Sequence, residues 1–222
     1  MLVAVEIDAV LKKYGSEINT ETISGFEVHT YRLDEYELYI IHSGAGQIAA
    51  AAATQLLITH YAIDFLVNFG VVGGLTPEMN LTKTCIVESV VHYDFDISEI
   101  DPVVVGQYLH RDSPYIPTSP DIVAKATELR PDLKKVICAS GDKFIGSTAR
   151  RQALHDQFQA DICEMEAAAI VITAQRAGIP HLLIKTVSDA IGGEADQFYQ
   201  EYLKSADICL EVTEEIIRAC IR

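Results

Sequence analysis

The segment that decides the fold covers residues 164–189 and reads EMEAAAIVITAQRAGIPHLLIKTVSD. Its apolar spacing predicts a helix over Glu166–Arg176, and Gly178 marks the helix end because glycine readily takes the left-handed cap conformation. The apolar run His181–Val187 then predicts a buried strand. Small molecules bind beyond the carboxyl ends of strands in an open parallel sheet. Asp189, which follows the strand, and the acidic residues at the helix start can therefore face one cavity.

Composition limits the kind of protein that these 222 residues form. With 49% hydrophobic residues the chain can bury one substantial core, so we expect a single domain over residues 1–222. A net charge of −15 repels nucleic acid and anionic membranes. The five cysteines lack metal-like spacing, and their odd number favours buried thiols in a reducing compartment. Because no leader-like or membrane-spanning apolar run is visible, we expect a cytoplasmic protein without nucleic-acid or membrane partners.

Short apolar runs alternate with helical patterns along the chain, which is typical of an α/β fold. The predicted strands are Leu2–Val5, Phe26–Arg32, Leu38–His42, Phe65–Phe69, Thr84–Val91, Val136–Ala139 and His181–Val187. The predicted helices are Gly46–His60, Pro120–Leu129, Thr148–Phe158, Glu166–Arg176 and Asp196–Ala219. The last helix carries an apolar stripe that includes Tyr199, and we expect it to cover the sheet. Weak periodicity between Ile97 and Ser119 predicts an irregular excursion.

Two glycine-containing turns follow predicted strands. Ser43-Gly44-Ala45-Gly46 precedes an alanine-rich helix, so backbone N–H groups at the helix start can face an anion or a hydroxyl. A dinucleotide-binding fingerprint would need a further glycine near Ala49, and its absence argues against NAD. The turn Asn68-Phe69-Gly70-Val71-Val72-Gly73-Gly74 is equally consistent with a tight structural turn and with a loop that contacts a ligand.

Five short motifs occur in order over nearly the whole chain. They are the two turns above, then Ser140-Gly141-Asp142-Lys143-Phe144-Ile145, Glu164-Met165-Glu166-Ala167 and Val187-Ser188-Asp189. In this order they resemble the purine nucleoside phosphorylase superfamily, and within it they look most like the methylthioadenosine/S-adenosylhomocysteine nucleosidases. The resemblance implies a three-layer α/β/α fold with a central, twisted and partly closed mixed sheet, a homodimer, and hydrolysis of the N-glycosidic bond of an adenine nucleoside with no metal and no cofactor.

The resemblance also assigns the two main chemical roles. Cleavage of the bond to ribose leaves negative charge on the departing base, so protonation of the base lowers the barrier. Asp189 matches the general acid that donates a proton to N7 and accepts from the exocyclic amine; it must be neutral near pH 7, which a desolvated crevice favours. From its sequence position alone Asp189 is equally consistent with a cap for the following turn. Glu166 matches the carboxylate that accepts the ribose 2′- and 3′-hydroxyls.

Further contacts are implied around the base and the ribose. Phe144 is placed to stack on the base, and the backbone N–H and C=O of Ile145 to read the purine edge. Met165 matches an apolar wall against the ribose, although simple core filling is an alternative for this residue. Glu164 supports the helix start, where an acidic side chain complements the helix dipole. Other implied substrate-binding positions are Gly70, Val71, Lys185, Ser188 and Tyr199.

Three positions depart from the family pattern on the side of the hydrolytic water. Asp8 stands at the position of the water-activating Glu and is one methylene shorter, and Glu6 is the alternative if the register slips. Lys185 stands in the place of an Arg, for which it is not equivalent in bidentate contacts, and Val71 stands in the place of a hydroxyl. Because an ångström of misplacement costs on the order of a hundredfold in rate, we expect binding of an adenine nucleoside with slow hydrolysis, or a preference for a relative of the usual substrate.

Two other functions compete with hydrolysis. A phosphorylase needs arginines and a hydroxyl around a phosphate, whereas this sequence has Val71, the neutral Gln47 and no arginine near the motif loops, which favours water. A non-catalytic nucleoside-binding protein would fit the clustering of the three departures on the water side. The 5′ group of the substrate stays open, because in the family its pocket comes from variable loops and from across the subunit interface.

Overall fold

The computed structural model describes residues 2–3, 6–15, 17–33, 36–189 and 195–220, and for residues 2–3, 195–201 and 220 it describes the backbone alone. The helices are α1 (Ile7–Tyr14), α2 (Gln47–Tyr61), α3 (Pro120–Leu129), α4 (Thr148–Phe158), α5 (Ala167–Ala177) and α6 (Ala195–Cys220). The strands are β1 (Leu2–Val3), β2 (Asn19–Ile23), β3 (Phe26–Arg32), β4 (Glu37–His42), β5 (Leu66–Gly74), β6 (Thr84–His92), β7 (Tyr115–Pro117), β8 (Lys134–Ser140), β9 (Ile162–Glu164) and β10 (His181–Asp189).

One mixed sheet forms the centre of the molecule. Strand β5 pairs in parallel with β1 and β10 and antiparallel with β9. Strand β10 also pairs with β6, β6 pairs with β8, and β8 pairs with β9, so β5, β10, β6, β8 and β9 close into a ring. From β5 the sheet continues outward through β1, β4, β3 and β2. The predicted partly closed mixed sheet is confirmed.

Helices cover both faces of this sheet because successive strand residues point to opposite sides. In β4, Ile40 belongs to a buried cluster that includes residues of α1, α3 and α6. The next residue, Ile41, belongs to a different cluster with residues of α2 and α5. The three-layer α/β/α architecture is therefore confirmed. In the described part of the chain, no helix is both long enough and apolar enough to cross a membrane.

Four elements were not among the sequence predictions, and each lacks a strong periodic signal. Strand β2 lies at the edge of the sheet and buries none of its residues fully, so it shows no apolar alternation. Strands β7 and β9 have three residues each, which is too short for periodicity to identify. Helix α1 begins at Ile7, two residues after Val5, the predicted end of the first strand. Ala4 and Val5 of that predicted strand lie outside the described residues.

The cysteines match the prediction of buried thiols wherever the structure describes their side chains. Four of them are free and buried: Cys85, Cys138, Cys163 and Cys209. The side chain of Cys220 lies outside the described residues.

Candidate active site

A cavity of about 200 Å³ opens where the ring of strands meets the start of α5 and the residues just before α1 and α2. Six of the predicted site residues line it: Val71, Phe144, Ile145, Met165, Glu166 and Asp189. Glu6, Glu164 and Cys163 are also part of its wall. Burial raises the pKa of the Cys163 thiol to about 12, so this residue stays a neutral thiol rather than a nucleophile.

Asp189 reaches the cavity from the last position of β10. The pairing of β10 with β5 shifts by one residue between Val187 and Asp189, so that Asp189 lies opposite Gly73 and Ser188 is the extra residue. Such bulges redirect side chains at the ends of strands. Ser188 itself is fully buried and does not line the cavity, and within the described residues its hydroxyl has no hydrogen-bond partner. The sequence prediction of a substrate contact at Ser188 is therefore not matched by its position.

Arg151 is the main residue that the sequence reading missed. It lies in the first turn of α4, is 2% exposed, and its guanidinium contacts the carboxylate of Asp189 through Nη2 and Oδ2. Nη1 donates to the main-chain oxygens of Asp189 at 3.0 Å and of Gly74 at 3.2 Å, and Nε donates to that of Ile145 at 3.0 Å. One side chain thus joins three segments of the cavity wall.

These contacts correct two statements based on the sequence. Arg151 lies beside the motif loops in space and only six residues after Ile145 along the chain, so the statement that no arginine is near these loops is wrong. Arg151 does not provide an open phosphate site, because four of its five N–H donors are already used by Asp189, Gly74 and Ile145. In addition, the C=O of Ile145, expected to read the base, already accepts a hydrogen bond from Arg151.

A sequence signal for Arg151 existed in the spacing of α4. The buried residues of this helix are Arg151, Leu154 and Phe158, which are separated by three and four positions. This spacing defines one face of a helix, so Arg151 stands at a position where an apolar residue would be expected. A charge on the buried face of a helix requires a partner, and that requirement points to a buried carboxylate.

The start of α5 is organised by Glu164. Its side chain accepts the backbone N–H of Glu166 at 3.1 Å and of Ala167 at 2.9 Å, which confirms the predicted support of the helix start. Glu166 is the residue immediately before α5 and is 7% exposed. Its Oε1 accepts the backbone N–H of Gly46 at 2.8 Å. Burial, and next the nearby charge of Glu164, raise the pKa of Glu166 to about 7, while the hydrogen bond from Gly46 opposes this rise.

The start of α2 is occupied by carboxylates of the chain itself. Gly46 donates to Glu166, and the N–H of Gln47 donates to Asp142 Oδ1 at 2.7 Å. Gly46 has a φ of 100°, and a Cβ at this position would lie 3.0 Å from Asp142 Oδ1, so glycine is required here. The side chain of Gln47 donates to Ser140 Oγ and to the main-chain oxygen of Met165, which joins α2 to β8 and to the residues before α5.

Glu6, and not Asp8, lies in the cavity. Glu6 is 3% exposed, and its Oε1 accepts the backbone N–H of Val71 at 2.8 Å. Asp8 is an exposed residue in the first turn of α1 and does not line the cavity. The expectation that Asp8 reaches the water side is therefore corrected, and the alternative register with Glu6 has the matching position. The reason is that α1 begins at Ile7, which turns the following residues away from the strand direction.

Lys185 lies close to the cavity wall and contacts one of the wall residues, Glu164. It lies in the middle of β10, is almost fully buried, and its Nζ is 3.4 Å from Glu164 Oε2. Burial lowers the pKa of Lys185, but the surrounding negative charges, Glu164 first, outweigh this effect and raise it above its ordinary value. Lys185 does not line the cavity, so the predicted contact with substrate is replaced by a contact with Glu164.

The remaining predicted positions also differ in whether they line the cavity. Phe144 lines the cavity and is 56% exposed. Val71 presents an apolar side chain at the end of the cavity near Glu6. Gly70 is buried beside Glu6 without lining the cavity. The side chain of Tyr199 lies outside the described residues, although its backbone is part of α6.

Comparison with known proteins gives the class. Residues 3–222 match the model of the phosphorylase superfamily, and the chain belongs to this superfamily. A more particular likeness is to proteins named 5′-methylthioadenosine/S-adenosylhomocysteine nucleosidase. The one from Geobacillus thermodenitrificans is 30% identical over 206 residues, which cover 89% of this chain and 86% of the relative. The one from Marinomonas sp. is 28% identical over 204 residues, 89% of this chain and 87% of the relative.

Solved structures agree on the fold. The native futalosine hydrolase of Helicobacter pylori superposes with a TM-score of 0.91 at 25% identity and covers 98% of this chain and 95% of that one. A mutant of the H. pylori methylthioadenosine/S-adenosylhomocysteine nucleosidase, solved with 5′-methylthioadenosine in its active site, has a TM-score of 0.91 at 24% identity and covers 98% and 96% of the two chains. At the latter identity the likeness concerns the fold alone.

Proposed function

We propose that the protein is a hydrolase that cleaves the N-glycosidic bond of an adenine nucleoside and releases adenine. The observation that carries this proposal is that Asp189, at the end of β10, and Glu166, at the start of α5, line one cavity. One carboxyl group can then donate a proton to the base while the other binds the hydroxyls of the sugar. The relatives named as methylthioadenosine/S-adenosylhomocysteine nucleosidases support the same class of reaction.

At the base, Asp189 acts as the general acid in this proposal. Its Oδ2 is held by Arg151, and within the described residues Oδ1 accepts no hydrogen bond. Protonated Oδ1 donates its proton to N7 of adenine while the electron pair of the breaking C1′–N9 bond moves into the base. Phe144 and Ile145 both line the cavity. In this proposal the Phe144 ring stacks on the purine, and the backbone N–H of Ile145 donates to an acceptor on the purine edge.

At the sugar, Glu166 accepts the 2′- and 3′-hydroxyls. A carboxylate has about four acceptor positions, and the N–H of Gly46 uses one of them. Two hydroxyls can therefore still be accepted. Their hydrogen bonds favour the ionised form of Glu166, which balances the effect of its burial. Met165, beside Glu166 in the cavity wall, gives the ribose an apolar surface.

On the water side, we assign the general base to Glu6 instead of Asp8. Glu6 is buried, lines the cavity and accepts a hydrogen bond from the N–H of Val71 in β5. The water attacks C1′ as the base departs, and its proton passes to the Glu6 carboxylate. Lys185 has no direct part in this step, because it pairs with Glu164.

Three features favour water over phosphate as the nucleophile. The N–H groups at the start of α2, which could hold a phosphate, already donate to Glu166 and Asp142. Val71 provides no hydroxyl, and four of the five N–H donors of Arg151 are already bound by the protein. The carboxylates that line the cavity, including Glu6, would repel a phosphate dianion.

The test is release of the free purine base at high enzyme concentration from methylthioadenosine, adenosylhomocysteine, adenosine and deoxyadenosine, with futalosine included because of the H. pylori relative. Release from at least one of the four adenine nucleosides, together with its loss in Asp189→Asn while adenine still binds, supports the enzyme. Tight calorimetric binding with no release from any of them would instead indicate a non-catalytic nucleoside-binding protein. A rate that rises with phosphate and yields ribose 1-phosphate would indicate a phosphorylase.

We extend the proposal to a cytoplasmic homodimer formed by one domain per chain, acting in methionine salvage. Support for a dimer comes from large apolar side chains at the surface, including Ile48 at 85% and Ile100 at 82% exposure. Leu109 and Phe144 are also exposed, and Phe144 belongs to the cavity wall. Sedimentation equilibrium tests this part, since a monomer at micromolar concentration would contradict it.

A further inference from the structure

Arg151 connects the three segments that must keep a fixed geometry if the proposed reaction is to occur. Asp189 ends β10, Gly74 ends β5, and Ile145 lies in the loop after β8. Each of them accepts a hydrogen bond from the same guanidinium, and the Asp189 carboxylate also forms an ion pair with it. A planar guanidinium with donors in fixed directions sets the relative positions of its acceptors more strictly than a flexible ammonium would.

We propose that Arg151 is a positioning residue for proton transfer: it holds Asp189 through Oδ2 so that Oδ1 faces the base, and it stabilises the carboxylate that remains when the proton leaves. This inference rests on the proposed function, because it assigns to Arg151 an effect on the general acid of that reaction.

The charge balance of the step explains why a buried cation is useful. In the reactive form Asp189 carries the proton on Oδ1 while Oδ2 accepts from Arg151; after the step the O–H bond is broken, N7 carries the proton and Asp189 is negative. In a desolvated cavity an isolated carboxylate is costly. The positive charge of Arg151, in direct contact with Oδ2, offsets this cost as it arises. Arg151 touches neither substrate nor water in this scheme and influences the proton transfer through Asp189.

The geometry also explains why Asp189 has one reactive oxygen. Oδ2 and the main-chain oxygen of Asp189 are both bound by Arg151, which prevents rotation of the carboxyl group. Oδ1 is then the oxygen left for the proton. A further donor, Nε, fixes the main chain at Ile145, next to the Phe144 ring. Loss of Arg151 is therefore expected to disturb the proton donor more than the binding of the sugar, which depends on Glu166.

The experiment compares Arg151→Met and Arg151→Lys with Arg150→Met, a change at the neighbouring exposed residue of the same helix. In the full-length protein we expect Arg151→Met to lower kcat for adenine release about a hundredfold with a change in KM of less than about threefold. Arg151→Lys, which keeps the charge, is expected to recover about tenfold of that loss. Arg150→Met should behave as the wild type.

A double-mutant cycle distinguishes this role from a purely structural one. If Arg151 acts through Asp189, Arg151→Met in the Asp189→Asn background lowers the residual rate by less than about threefold. A full additional hundredfold loss in that background would overturn the inference. A wild-type kcat in either Arg151→Met or Arg151→Lys would also overturn it. If Arg151→Met does not fold, Arg151→Lys and its cycle with Asp189→Asn decide. A wild-type protein that releases no adenine overturns the proposed function and this inference together, whereas an active wild type isolates the inference.

Discussion

The ammonium group of Lys185 lies 3.4 Å from Oε2 of Glu164, and both side chains are almost completely buried. Glu164 in turn accepts the backbone N–H groups of Glu166 and Ala167 at the start of α5. Lys185, in the middle of β10, is thereby linked through Glu164 to Glu166, the residue proposed to bind the ribose. Lys185 consequently influences the site through the position of α5, and its role is to stabilise the fold around the cavity.

Lys185→Met is expected to reduce the free energy of unfolding by about 3–5 kcal/mol, because it leaves Glu164 charged and buried without its cation. The control is Lys135→Met, which removes an exposed lysine 3.8 Å from Glu88 and should cost less than about 1 kcal/mol. Urea unfolding followed by circular dichroism measures both. Adding Glu164→Gln to Lys185→Met should recover part of the loss, and equal destabilisation by the two lysine changes would contradict the buried ion pair.

The sequence was sufficient for the parts of the fold with strong periodicity. The segment of residues 164–189 correctly predicted α5, β10 and the meeting of their acidic residues in one cavity. The periodicity of the sequence did not show how the strands close into a ring. Closure depends on the three-residue strand β9, whose pairing with β5 and β8 is a long-range contact. Short strands carry too few side chains to show a period.

The site was predictable where a residue faces the cavity directly and less so where it acts through a neighbour. Glu166 and Phe144 stand on motif loops and could be placed from the motifs. Lys185 and Arg151 are cations whose partners are distant in sequence, so their contacts follow only from the packed structure. The choice between Glu6 and Asp8 depended on where α1 begins, and helix starts are among the least certain features of a sequence reading.

Glu6→Gln should reduce kcat for adenine release by about two to four orders of magnitude, because it removes the proposed base for the water. Asp8→Asn, a change of the same kind at an exposed residue two positions away, should leave kcat within about threefold of the wild type. The measurement is the steady-state release of adenine under saturating nucleoside. If Asp8→Asn were the variant that lost activity, the position of Glu6 in the cavity would have no bearing on catalysis.

The burial of Glu166 predicts a pH-dependent stability in the absence of ligand. Its pKa is about 7 in the folded protein and about 4.3 in an unfolded chain. Between these values the folded protein retains a proton that the unfolded chain has released, so the free energy of unfolding falls as pH rises through this window and levels off above about pH 7. The contribution of this one group is on the order of a few kcal/mol.

Glu166→Gln removes this contribution and keeps an oxygen for the N–H of Gly46. The wild type should therefore lose stability relative to Glu166→Gln as the pH is raised from about 4.5 to about 7. Urea unfolding of both proteins at several pH values measures the difference, in which the titration of the other carboxyl groups cancels. A difference that stays constant over this range would show that Glu166 is not held in a desolvated, proton-retaining environment.

Gly70→Ala provides a steric test of the proposed role of Glu6 as the base for the water. A Cβ at Gly70 would lie 2.9 Å from Glu6 Oε1 and 3.2 Å from its Cδ, so the Glu6 side chain must move and its hydrogen bond from Val71 is disturbed. We expect kcat to fall about a hundredfold, as is typical for a catalytic group displaced by about an ångström. Because the obstacle is the end of a flexible side chain, the fold should persist.

Gly74→Ala is the contrasting variant in the same strand. Its Cβ, which is fixed in direction by the backbone of β5, would lie 2.0 Å from the main-chain oxygen of Met79, which cannot move aside as a flexible side chain can. We therefore expect Gly74→Ala to lose folded protein, whereas Gly70→Ala loses turnover and keeps a cooperative unfolding transition. In the Glu6→Gln background, Gly70→Ala should have little further effect on kcat, because both changes act on the same group. If the two changes multiplied their effects in full, Gly70 would influence the reaction by a route other than the position of Glu6.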